Sequence, residues 1–177
     1  TWATGPPAAS TLARPVPVDM RQSVKTGLSF GLTSGVITTL GLLVGLNAGT
    51  HSRVAVIGGI VTIAVADALS DAMGIHLAEE SKNNGSELEI WEATIATFAA
   101  KFVIAMSFVL PVILLPLDQA VVASVVWGLG LLTLLSYGLA KAQKIVPWKV
   151  IAEHGAIALL VVAATHYLGE WLRAVLE

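Results

Sequence analysis

Residues 26–78, TGLSFGLTSGVITTLGLLVGLNAGTHSRVAVIGGIVTIAVADALSDAMGIHLA, decide the fold. They hold two apolar stretches, about 26–48 and about 54–78, parted only by the short polar turn GTHSR. A helix of about 20 apolar residues crosses a hydrocarbon core about 30 Å thick, so each stretch reads as a transmembrane helix and the two form a tight hairpin. Outward from there, EESKNNGSELE at 79–89 breaks the pattern with five charges and Asn-Asn-Gly, a strong loop signal. Beyond it, further apolar spans cover about 91–115, 120–140 and 148–172. Pro111 falls late in the third span and predicts a kink there, with neighbouring helices satisfying the freed carbonyl. The expected fold is all-α: a polytopic membrane domain of five transmembrane helices over 26–177, preceded by a flexible Pro-rich N-terminal tail over 1–25.

Composition supports this. Of 177 residues, 55% are hydrophobic and 12% charged, about half the charge of a soluble domain. A soluble enzyme core is excluded. The formal net charge is −2 and no basic cluster stands beside interleaved aromatics, so no nucleic-acid partner is expected. The chain has no cysteine, which removes disulfides, thiolate metal sites and cysteine nucleophiles together. Its first residues, TWATGPPAASTLARPVPVD, carry four prolines and lack the continuous apolar core of a secretory signal.

Orientation follows from Lys and Arg in the short flanks, because cationic residues stay on the cytoplasmic face. One side collects Arg14, Arg21, Lys25, Lys82, Lys141, Lys144 and Lys149, and the other only Arg53 and Arg173. The N-terminus is therefore expected inside and the C-terminus outside, with Trp91, Trp148 and Trp171 as interfacial anchors.

Three features could carry chemistry. The first helix places Gly27, Gly31, Ser34, Thr38, Gly41 and Gly45 at alternating spacings of four and three, a small-residue stripe that another helix can approach closely. Ordinary helix packing is one reading, and a dimer seam bordering a polar path is the other. The second helix carries Asp67 and Asp71 one turn apart on the same face, with Ser70, Met73 and Gly74 nearby. A carboxylate at mid-membrane costs at least about 2.5 kcal/mol on insertion scales and marks ion or proton paths, and two hard oxygen donors suit divalent cations such as Mn or Fe. Against that stands internal pairing: at 1.5 Å per residue, Lys101 on the third helix lies at about the depth of Asp71, and an Asp71 to Lys101 ion pair would fix packing without moving anything. Third, Glu79, Glu80, Glu87, Glu89 and Glu92 form an acidic run at the cytoplasmic surface, either a solvated face or a device that concentrates cations at a pore entrance. His76 projects about 180° from Asp67 and is expected outside that site. Glu153, His154, His166 and Glu170 on the last helix are weak ligand candidates.

Taken together, the membrane region resembles the vacuolar iron transporter family, whose members are five-helix divalent-cation transporters working as dimers. FGLTSGVITTLGLLVGL at 30–46 is similar to the family's first helix, in which an Asp-Gly pair opens an apolar, small-residue stretch. ADALSDAMGIHLAEES at 66–81 resembles the pattern Ala-Gly-Ala-Leu-Ser-Met-Ala-x-Gly-Glu-Tyr-x-Ser. FVLPVILLP at 108–116 and HGAIALLVVAATHYLGEWL at 154–172 resemble the proline-containing third helix and small-residue last helix. The departures fall on ligands: the family's helix-one Asp aligns with Ser34, its helix-two Met with Asp71, and its Glu and Tyr with Ile75 and His76. Its long cytoplasmic metal-binding insertion is reduced here to ESKNNGSELE.

What the resemblance implies is a homodimeric transporter, without enzymatic activity, that exports a divalent cation from the cytoplasm in exchange for protons. Fe2+ or Mn2+ would be its substrate, with no permanently bound cofactor. Asp67, Asp71, Glu79 and Glu80 would bind metal, Ser34, Thr38, Ser70 and Met73 would line the path, and Gly27, Gly31, Gly41 and Gly45 would pack helices or form the dimer seam. The expected place is a lipid bilayer, the plasma (inner) membrane or an organellar one. The alternative is a non-transporting structural or accessory subunit of a larger membrane assembly that keeps this scaffold.

Overall fold

The computed structural model describes residues 20–82 and 86–176. Within them the chain is helical throughout: α1 Met20–Thr50, α2 Arg53–Glu80, α3 Glu87–Ser107, α4 Val109–Leu114, α5 Leu117–Gln143 and α6 Pro147–Leu176. The short α4 continues α3 after a break at Phe108, so five helices are long and apolar enough to cross a membrane. Pro111 explains the break, since its ring clashes with the carbonyl four residues earlier, at Ser107. Most helix ends outrun their expected spans by one to a few residues, although the third span stops at Leu114, and several of the polar ends find caps. Ser86 and Glu89 form a capping box at the start of α3, Ser52 caps α2, and Pro147 opens α6. The start of α1 at Met20 takes residues 20–25 out of the expected tail; its remainder, 1–19, lies outside the described residues.

α1 is the central element, touching α2, α3, α5 and α6. Half of its apolar window is buried, against 11% for α6. Its glycines explain how it can be surrounded. A Cβ on Gly27 would strike the backbone carbonyl of Ala93, one on Gly31 would lie 2.6 Å from the Thr97 carbonyl oxygen, and one on Gly35 would lie 3.3 Å from the Cα of Lys101. Four residues along α1 thus match four along α3, the register of parallel helices. Gly41, Gly45 and Gly49 meet Val161, Thr165 and Gly169 of α6 in the same parallel fashion. The expected stripe exists, but it is divided between two helices of the same chain, α3 along the first half and α6 along the second. Gly35 and Gly49, absent from the four-three pattern, belong to it.

Parallel α1, α3 and α6 with α2 and α5 running back are what alternating crossings require. The described lysines Lys25, Lys82, Lys141, Lys144 and Lys149 therefore share one end of the bundle, and Arg53 and Arg173 the other. The outer faces of α2, α5 and α6 are lined with exposed Val, Leu, Ile, Trp and Tyr, a surface suited to lipid and too apolar for water. The chain is a membrane-embedded helical protein.

Candidate functional site: an intramembrane Lys-Asp-Asp-Ser cluster

Close approach of α1 and α3 at Gly35 leaves Lys101 no room to turn away, and its side chain runs into the wedge between α1, α2 and α3 with 2% exposure. An ammonium so placed must be paired. Its Nζ lies 2.5 Å from Asp67 Oδ2, contacts Asp71 Oδ2 and donates to Ser34 Oγ at 3.0 Å. Ser34 in turn donates to the same Asp71 oxygen at 2.7 Å. Lys101, Ser34 and Asp71 thus form a closed triangle, while Asp67 makes an ion pair off the hydrogen-bonding direction. Its Oδ2 has no hydrogen-bond partner among the described residues.

The cluster is uneven in two respects. It sets two carboxylates against one ammonium, so with all three ionised it carries a surplus negative charge. The carboxylates are also the open side: the Asp67 and Asp71 side chains are 28% and 20% exposed, with the lysine behind them. A purely structural pair in a membrane is expected to match charge for charge and face inward.

Of the residues singled out in the sequence, the structure joins Asp67, Asp71, Ser34 and Lys101. Thr38 is one turn away, but its hydroxyl donates to the Ser34 carbonyl at 2.9 Å. Ser70 and Met73 stand on the exposed face of α2. Glu79 pairs with Lys82 at 2.6 Å, and it lies about 12 Å along α2 from Asp71 at 1.5 Å per residue; Glu80 is exposed beside it. His76 is held between α2 and α3, Nδ1 3.0 Å from Thr94 Oγ1 and its ring edge-on to Trp91. His154 bonds Ser136 at 2.8 Å, and His166 faces Glu170 one turn away at 3.5 Å. No group of three or more His, Asp or Glu side chains gathers as a metal site among the described residues.

Three arrangements were not read from the sequence: two arginine contacts that carry no sequence signal, and a small-residue face whose four-residue spacing does. Arg53 donates to the carbonyls of Ile113 and Leu115 at 3.3 and 2.8 Å, tying the start of α2 to the end of α4. Arg173 reaches His51 at 2.7 Å, tying α6 to the α1–α2 turn. Along α2, Gly58, Thr62, Ala66, Ser70, Gly74 and Ala78 make an exposed small-residue face beside the two aspartates, and a Cβ on Gly58 or Gly74 would meet nothing within 4 Å.

No protein-family profile matches the chain, and no curated protein matches it. The likeness to the vacuolar iron transporters stands on the quoted segments alone.

Proposed function

We propose that the chain moves a divalent cation across its membrane in exchange for protons, with Asp67, Asp71 and Ser34 as ligands and Lys101 as a built-in competitor for the cation's place. The observation that carries this reading is the surplus carboxylate on the open side of a buried lysine. An incoming divalent ion would take the oxygens that Lys101 holds and displace the ammonium, and a proton held by the surplus carboxylate would leave as the cation binds. Binding of metal by groups that carry protons releases protons, which couples the two flows without a further residue. Two carboxylates and a hydroxyl are hard donors, suited to Mn2+, Fe2+ or Mg2+. Glu79 and Glu80, at the lysine-rich end, would gather cations there. Direction of export and a plasma (inner) membrane location follow only from the family likeness and the lysine count.

The test is metal flux into proteoliposomes loaded with a fluorescent indicator, with and without a pH gradient. Wild type is expected to carry Mn2+ faster under an opposing proton gradient, and Asp67→Asn and Asp71→Asn to abolish the difference. Equal flux in wild type and both variants sinks the assignment.

A second reading, a non-transporting membrane subunit, is favoured by the contact of Lys101 with Asp71 and by the uncovered small-residue face of α2. Copurification with a larger assembly, together with no metal-dependent thermal stabilisation, would select it.

A further inference from the structure

α1 and α5 touch at one end and part at the other. A Cβ on Gly128 would lie 2.5 Å from Leu40 Cδ1, whereas one on Gly138, ten residues along α5, would meet nothing within 4 Å. The gap between them is a crevice at the lysine-rich end of the bundle, in two joined chambers. The deeper, of about 290 Å3, is walled by Leu28, Leu32, Leu134, Leu135 and Gly138. The outer, of about 410 Å3, reaches Gln22, Gln143 and His154. Lys25, Ser29, Thr33 and Leu139 border both.

We propose that this crevice holds one phospholipid with an anionic head group, one of its acyl chains in the deeper chamber and its phosphate at Lys25. Three observations select that occupant. The rims, Leu28, Phe30 and Leu134, are exposed apolar residues, so the crevice opens sideways, where a membrane-embedded chain meets lipid. The wall changes from leucine to Lys25, Gln22, Gln143 and His154 toward the helix ends, as hydrocarbon changes to head group. No Asp or Glu lines either chamber among the described residues, and Lys141, Lys144 and Lys149 surround the α5–α6 turn next to the mouth. Basic pockets between transmembrane helices select anionic lipids on these grounds. The neighbouring Glu153 is exposed on α6 outside the lining, and His154 Nδ1 is held by Ser136. The inference is independent of the transport reading.

Native mass spectrometry of the full chain, released from nanodiscs of equimolar phosphatidylglycerol and phosphatidylcholine, tests it. One phosphatidylglycerol per chain is expected to be retained in preference to phosphatidylcholine. Lys25→Gln should cut that retention about fivefold, the factor for one lysine at an anionic surface. Gly138→Leu, whose Cβ would meet nothing within 4 Å and whose isobutyl group would occupy the deeper chamber, should abolish it, and both variants should melt as wild type does. Equal retention of the two lipids overturns the proposal. Loss in Gly138→Leu but not in Lys25→Gln overturns the head-group assignment, and loss in Lys25→Gln alone overturns the crevice as the site.

Discussion

Replacing Lys101 with methionine keeps most of the bulk of the side chain up to Cε and removes the ammonium, which isolates the electrostatic part of the cluster. The two carboxylates then face each other with no cation among the described residues to offset them. Removing one partner of a buried ion pair costs about 3–5 kcal/mol. Here the carboxylates are 28% and 20% exposed, so water can take up part of the loss and about 3 kcal/mol is the better figure. At about 2–4 °C per kcal/mol for a chain of this size, the melting temperature in detergent should fall by about 6–12 °C. The coupling can be read directly. In the Lys101→Met background, Asp71→Asn should restore part of the lost stability, while in the wild-type background it should lower it slightly, giving a double-mutant interaction of about 1–3 kcal/mol. Mn2+ adds an arm that bears on function: in Lys101→Met it can bind without competition and should stabilise the fold by about 2.7 kcal/mol at a hundred times its Kd, raising the melting temperature accordingly. Asp67→Asn should remove that rise. An unchanged melting temperature in Lys101→Met, or an equal effect of Asp71→Asn in both backgrounds, would refute the coupling on which the cluster is argued.

Gly31→Ala brings a methyl group to 2.6 Å from the Thr97 carbonyl and should cost about 1–3 kcal/mol by thermal melting, whereas Gly58→Ala, with nothing within 4 Å, should leave stability unchanged or raise it by up to about 1 kcal/mol. If both behave alike, the parallel register of α1 and α3 is wrong. Because the chain has no cysteine, Ser70→Cys can be probed without background. In native membranes it is expected to react with a membrane-impermeant maleimide far faster than Val61→Cys, because the aspartates beside it border water; equal rates would refute that.

The five spans were legible because the bilayer leaves few alternatives: backbone groups must be paired within a helix, charges must collect outside, and 12% charge confined to short stretches records both demands. Close packing at the α1 glycines was legible for the same reason. Their partners were not, since the spacing of small residues says that a backbone can approach and is silent on which one does. The pairing of Lys101 with Asp71 could be reached from depth alone. Its second contact, with Asp67, could not, because the two aspartates are a helical turn apart and only the lie of the lysine over Gly35 lets one ammonium meet both. Arg53 read as an orienting charge and proved to be a cap. Its acceptors are carbonyls at the end of α4, just before Pro116, where the last turn of any helix lacks donors.

Charge stoichiometry, more than the identity of any single side chain, separates the two readings of the site. A lysine and one aspartate would close on each other and need nothing more. The additional aspartate costs at least about 2.5 kcal/mol at bilayer depth unless something offsets it, and the small, uncovered face of α2 runs alongside the open side of both carboxylates. Whatever occupies that face, water or another helix, therefore supplies the missing compensation. Water there makes the cluster reachable by ions, and a helix there seals it; the proposed cation path and a packing surface would compete for the same strip of α2. A transporter built on this scaffold must keep the strip wet at least part of the time, so that the surplus carboxylate is compensated by its cargo or by a proton and not by a permanent neighbour.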